Sequence, residues 1–215
     1  MERIPARIAF ASSLTFFAGS TLADAYELDA SPASFSMTGA ASRLAAEDAK
    51  PAPKSFGSPG WQAITIGVGA AFGATDGDSA TDVNGSIAWN YFLVQDFEFS
   101  LEGAGWYFNQ PGEDQGGGSA SIAFRWHFVN RKSWSLFAEA GIGLLGAGGE
   151  VPTGGTSFNF LPRAGVGFTY QLTDSGVRFQ GGVRWHHISN ARINGDSNNP
   201  SRDGVMVFAG IMLPF

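Results

Sequence analysis

Cysteine is absent from the chain, which removes both a disulfide framework and a thiolate metal site from consideration. Charge is scarce: Asp, Glu, Lys and Arg make up 15% of the 215 residues, where about a quarter is usual for a soluble domain. The balance is acidic, with 13 Lys and Arg against 19 Asp and Glu and a formal net charge of −6. That sign argues against general nucleic-acid binding. No apolar run reaches the roughly 20 residues that a membrane-spanning helix needs. What is plentiful is glycine, at 30 residues, together with 44% hydrophobic and 13% aromatic residues. Low charge with abundant Gly and aromatics, but no long apolar run, fits a transmembrane β-barrel better than a soluble core.

The chain opens with Arg3 and Arg7, then an uncharged, moderately apolar run from Ile8 to Leu22, then Ala23-Asp24-Ala25. This is the tripartite pattern of a secretory signal peptide, with cleavage expected after Ala25. Residues 26–59 are rich in Ala, Ser and Pro without sustained periodicity and read as a flexible periplasmic extension. From Gly60 the pattern alternates. Strands are expected near 61–72, 81–93, 97–109, 118–129, 134–145, 157–171, 177–189 and 203–215, eight in all. Each can cross a bilayer as a tilted strand of about 9–11 residues. Connections at 94–96, 130–133 and 173–176 are tight, whereas those at 73–80, 110–117, 146–156 and 190–202 are longer and rich in Gly, Asp and Asn. Short turns belong to the periplasmic side of such barrels and long loops to the exterior. The fold class expected is therefore all-β, an eight-stranded antiparallel transmembrane barrel of the outer-membrane type over residues 60–215.

Parity within the strands assigns the two faces. Val83, Ile87, Trp89 and Tyr91 share one parity, as do Phe97, Phe99, Leu101 and Tyr107, then Ile122, Phe124, Trp126 and Phe128. The opposite parity carries Glu98, Glu102, Arg125, His127, Glu139, Arg163, Arg178 and Arg184. Charges of both signs on one face imply a narrow lumen filled by ion pairs, with the apolar face toward lipid. A soluble barrel would show the reverse.

The seventh expected strand departs from this sorting. Val177, Phe179, Val183 and Trp185 share a face with His187 and Ser189, so an apolar face ends in a histidine and a serine. Asp203, at the start of the last strand, has the parity of Val205, Val207, Ile211 and Phe215 and also points outward. With an even strand count and an N-terminal periplasmic extension, the seventh strand runs outward, which places all three groups on the lipid-facing wall at the outer rim. Residues i and i+2 lie about 6.6 Å apart along a strand, near enough for imidazole and hydroxyl to meet. A serine hydroxyl is a poor nucleophile unless a neighbouring base takes its proton, and an acid that orients the base improves it.

His187-x-Ser189-Asn190-Ala191, followed by Asn199-Pro200-x-x-Asp203 in the last hairpin, resembles the lipid A 3-O-deacylases of the PagL type. Members carry H-x-S-N on the penultimate strand and an Asn with an acid four residues later. The resemblance implies Ser189 as nucleophile, His187 as general base, Asp203 as the acid orienting it, and Asn199, with Asn190, as oxyanion donors. It also implies lipid A in the outer leaflet as substrate and the outer membrane as location. Two departures stand out. The acid is Asp instead of the usual Glu, one methylene shorter, and the loop is about two residues longer, which leaves Asn198 as a competitor for Asn199. Arg192 and Arg202 flank the site, either as contacts for lipid phosphate or as solvated loop charges.

Other readings stay open at this point: a non-catalytic small barrel for adhesion or anchoring, or a phospholipase-type barrel. The sequence leaves both a monomer and a homodimer open. His186 and His127 have inward parity and are expected to partner Glu side chains in the lumen. The three His do not cluster by spacing, so no zinc site is expected, and nothing visible requires a cofactor. Gly67–Gly69 and Gly116–Gly118 are not phosphate cradles, since no helix follows.

Overall fold

The computed structural model describes residues 54–73, 80–193, 195 and 199–215. The expected leader, most of the N-terminal extension and Asn198 lie outside the described residues. Nine strands follow one another: β1 Gln62–Gly73, β2 Thr81–Val94, β3 Phe97–Asn109, β4 Gln115–Asn130, β5 Trp134–Val151, β6 Thr156–Phe160, β7 Arg163–Gln171, β8 Arg178–Ile188 and β9 Arg202–Pro214. Each pairs antiparallel with its neighbours in the order β4-β3-β2-β1-β9-β8-β7-β5-β6, and a β4–β5 ladder closes the sheet on itself.

β6 and β7 are two halves of one barrel strand. Against β5 the pairs Leu144↔Phe160 and Gly141↔Arg163 keep one register. Against β8 the pairs Phe160↔Ser189 and Arg163↔His186 do the same. The break falls at Leu161-Pro162, because proline has no N–H to give to a ladder. The molecule is thus a closed eight-stranded antiparallel barrel. Two strands at the long-loop end run further than their pattern suggested: β4 starts at Gln115, and β5 continues to Val151, where it pairs with Thr156.

Side chains sort by parity as expected. Ile66, Val68, Ile87, Leu101, Ile122, Phe124, Ile142, Val166, Val183 and Val207 are exposed around the outer wall. So continuous an apolar surface is stable only against hydrocarbon. The buried charges meet in the lumen. Arg125 donates through Nε to Glu139 at 2.9 Å and through Nη1 to Glu98 at 3.2 Å and Gln180 at 2.9 Å. Arg163 pairs with Glu102 at 2.5 Å, and Arg184 approaches Glu139 at 3.3 Å. His127 bridges Glu98 and Ser135, as its parity suggested. Gly182 makes room for this packing: a Cβ there would lie 2.7 Å from Cζ of Phe208, the ring over which the Arg184 guanidinium lies at 4.0 Å.

Two expectations about the lumen are corrected. His186 pairs with Asp82 at 3.2 Å, not with a Glu, because its level in the barrel is that of β2's first inward carboxylate; it also stacks on Trp106. The lumen is not filled by ion pairs alone. Trp106, Phe108, Leu145, Ile188 and Met206 form an apolar cluster at the long-loop end. Trp61, Phe92 and Met212 form a second at the short-turn end, with Phe56 packed against it. Phe56 sits edge-on to Trp61, Phe92 and His127, and the Gly57 carbonyl accepts from the Asp96 N–H at 2.8 Å. Residues 54–60 are therefore packed onto the barrel, which moves the start of the folded part ahead of Gly60.

Candidate active site

β8 carries His187 to the long-loop rim with Ser189 just past its end, both on the outward face, and β9 starts beside them at Arg202, followed by Asp203. His187 and Asp203 are direct cross-strand partners. Ser189 exchanges both backbone bonds with Phe160, N–H to carbonyl at 3.2 Å and carbonyl to N–H at 2.7 Å. The backbone groups of Ser189, and by alternation of His187, therefore point toward the β6/β7 strand. His187 and Asp203 consequently form a non-hydrogen-bonded pair, the kind in which facing side chains come closest. Register supplies the reach that the shorter acid lacks.

The result is a linear array of side chains. The Ser189 Oγ lies 2.9 Å from Nε2 of His187, and Nδ1 of the same ring lies 2.9 Å from Oδ1 of Asp203. The serine and the imidazole are half-buried, while 47% of the Asp203 side chain is exposed. Such an array can move a proton from hydroxyl to imidazole while a carboxylate fixes the ring's orientation.

The loop after Ser189 is held by asparagines. Asn190 is buried; its Oδ1 accepts from the Arg192 N–H at 2.9 Å and its Nδ2 donates to Thr156 Oγ1 at 3.2 Å. Ala191 and Arg192 both take positive φ, 52° and 62°, and the Ile193 N–H closes the turn on the Asn190 carbonyl at 3.2 Å. An Asn side chain that bonds the backbone two residues on stabilises this tight, left-handed geometry. Asn199 comes back across the loop, where its Oδ1 accepts from the Asn190 N–H at 2.9 Å. Using the oxygen in this way turns the amide nitrogen of Asn199 away from Asn190.

The two arginines part company. Arg192 is exposed at the turn. Arg202 is not at the surface: 2% exposed, it points into the lumen and donates to Asp82 at 2.5 Å and Gln110 at 3.3 Å. It precedes an outward Asp203 within β9, so the pleat sends it inward, and both expected readings of it, a contact for lipid phosphate and a solvated loop charge, are corrected. Among the described residues no group of three or more His, Asp or Glu could hold a metal ion.

A model of the lipid A 3-O-deacylase (PagL) family matches residues 54–211. The chain belongs to this family. The crystal structure of the outer-membrane enzyme PagL superimposes with a TM-score of 0.52 at 21% identity, over 68% of this chain and 97% of the other. Neisserial surface protein A is similar in fold, with a TM-score of 0.53 at 20% identity, over 72% of this chain and 97% of that one. No curated protein sequence matches.

For a PagL-family barrel, two neighbours of the array escaped sequence reasoning. The Trp185 ring lies 5.2 Å from that of His187, and its Nε1 donates to Asp203 Oδ1 at 2.6 Å. Thr156, at the start of β6, anchors Asn190. Trp185 was legible only as one more outward aromatic, and Thr156 lies 34 residues from its partner.

Proposed function

We propose that this protein is an outer-membrane serine esterase that removes the 3-O-linked acyl chain from lipid A of lipopolysaccharide. The observation that carries the reading is the Ser189–His187–Asp203 array on the lipid-facing wall of a PagL-family barrel. A nucleophile on that wall can meet an acyl ester presented laterally by a neighbouring lipid, and its place at the long-loop rim suits the ester linkages of an outer-leaflet lipid.

In the reaction, Nε2 of His187 takes the Ser189 proton as Oγ attacks the ester carbonyl, and Asp203 stabilises the imidazolium through Nδ1–H. The oxyanion is assigned to the Asn199 amide nitrogen. Asn190 acts as the scaffold of that loop, since Arg192 and Thr156 engage its side chain. Collapse of the tetrahedral species breaks the bond to the sugar oxygen, which leaves with the proton from His187. Water, deprotonated by the same ring, then attacks the acyl-Ser189 ester and frees the fatty acid. Arg192 is the cation we assign to the lipid phosphate.

Incubation of the purified, refolded barrel with lipid A, followed by mass spectrometry, tests the reading. Loss of one 3-hydroxyacyl group is the expected product. Unchanged lipid A, with fatty acid released from phospholipid vesicles instead, would replace it with the phospholipase reading. Asn199→Ala is expected to lower kcat about 10²- to 10³-fold with little change in KM, as for removal of one oxyanion donor. An undiminished kcat would move the oxyanion site elsewhere.

A further inference from the structure

Resting on the esterase reading, we propose that Trp185 is a positioning residue that holds Asp203 in the rotamer facing His187. An Asp carboxylate on an exposed strand end has several staggered χ1 states open to it, and 47% of this side chain is exposed. Among the described residues, the hydrogen bonds to that carboxylate come from His187 and Trp185. Both donate to the same oxygen, Oδ1, at 2.9 and 2.6 Å.

The arrangement follows from the pleat. Trp185 lies two residues before His187 on the same outward face and pairs across β9 with Val205, two residues past Asp203. Its indole therefore reaches Asp203 along the diagonal, within the span of a long aromatic side chain. The ring also leans on the imidazole, with an interplanar angle of 35°. One side chain thus fixes the acid by a hydrogen bond and the base by contact. A Glu would place its carboxylate a methylene further out, so the indole bond seen here is made to the shorter acid.

The competing role is that of an ordinary interfacial aromatic, whose ring matters and whose N–H is satisfied wherever it can be. Two replacements, each made alone and combined with Asp203→Ala, separate the two roles: Trp185→Phe, and Trp185 exchanged for benzothienylalanine (the same ring shape without the N–H). Heat-modifiable migration checks that each barrel is folded. A hydrogen bond to a charged group is worth roughly 1.5–3 kcal/mol, so both single replacements are expected to lower kcat by roughly tenfold or more with KM little changed. In the Asp203→Ala background the same replacements are expected to change kcat less than about twofold, since the acceptor is gone. Equal losses in both backgrounds, or full kcat for the benzothienyl variant, would overturn the proposal while leaving the esterase reading intact. An inactive wild-type protein would overturn both.

Discussion

Ser189→Ala is expected to lower lipid A deacylation by about 10⁴-fold or more while leaving the barrel folded. Removing the nucleophile from a Ser-His-acid array costs nearly as much as removing the whole array, because its members act as one unit. The fold should tolerate the change. The Ser189 backbone, not its hydroxyl, holds β8 to Phe160, and the hydroxyl bonds only to His187 among the hydrogen bonds of the described residues. His187→Ala should match it, and the double variant should be no worse than either single one. Rates of fatty-acid release from lipid A, with heat-modifiable migration as the fold control, give the answer. A Ser189→Ala variant within tenfold of wild type would remove serine catalysis from this protein.

The largest effect on stability is expected at Arg125. It is the hub of the lumen, bonded to Glu98, Glu139 and Gln180 and lying 4.9 Å from the Phe137 ring centre. Arg125→Met keeps much of the volume but leaves two buried carboxylates short of a counter-charge. Breaking a buried pair by removing one partner typically costs about 3–5 kcal/mol, more than intact pairs contribute, since the remaining ion stays desolvated. Glu139 keeps Arg184 and Glu98 keeps His127, which places the expected loss toward the lower part of that range. Denaturant unfolding of the refolded barrel in lipid measures it. A midpoint shift worth less than about 0.5 kcal/mol would show that the network adds little to stability.

Strand number, the sorting of faces and the outward placement of His187, Ser189 and Asp203 were legible in the sequence, because a period of two is a local property of the chain. What depends on register was not. Whether Asp203 faces His187 directly or sits one residue off is decided by the β8–β9 pairing, and a one-residue slip would have turned the acid inward. The partner of His186 is set by the height of Asp82 in the barrel, 104 residues away. The aromatic stoppers Phe92 and Phe108 lie on the inward parity, and periodicity gives no sign that both faces turn apolar near the strand ends. Pro162 was visible as a residue but not as the position facing His187 in the continued register.

The filled interior carries a consequence for the cell envelope. Ion pairs occupy the middle of the barrel, and apolar clusters stopper it at each end. The described barrel is a solid rod with its chemistry mounted on the outside. In the proposed reaction, lipid would arrive and fatty acid leave along the wall, with the hydrolytic water coming from the rim. Nothing would have to pass through the protein, so the proposed reaction could proceed at the membrane's outer surface without adding a leak to it.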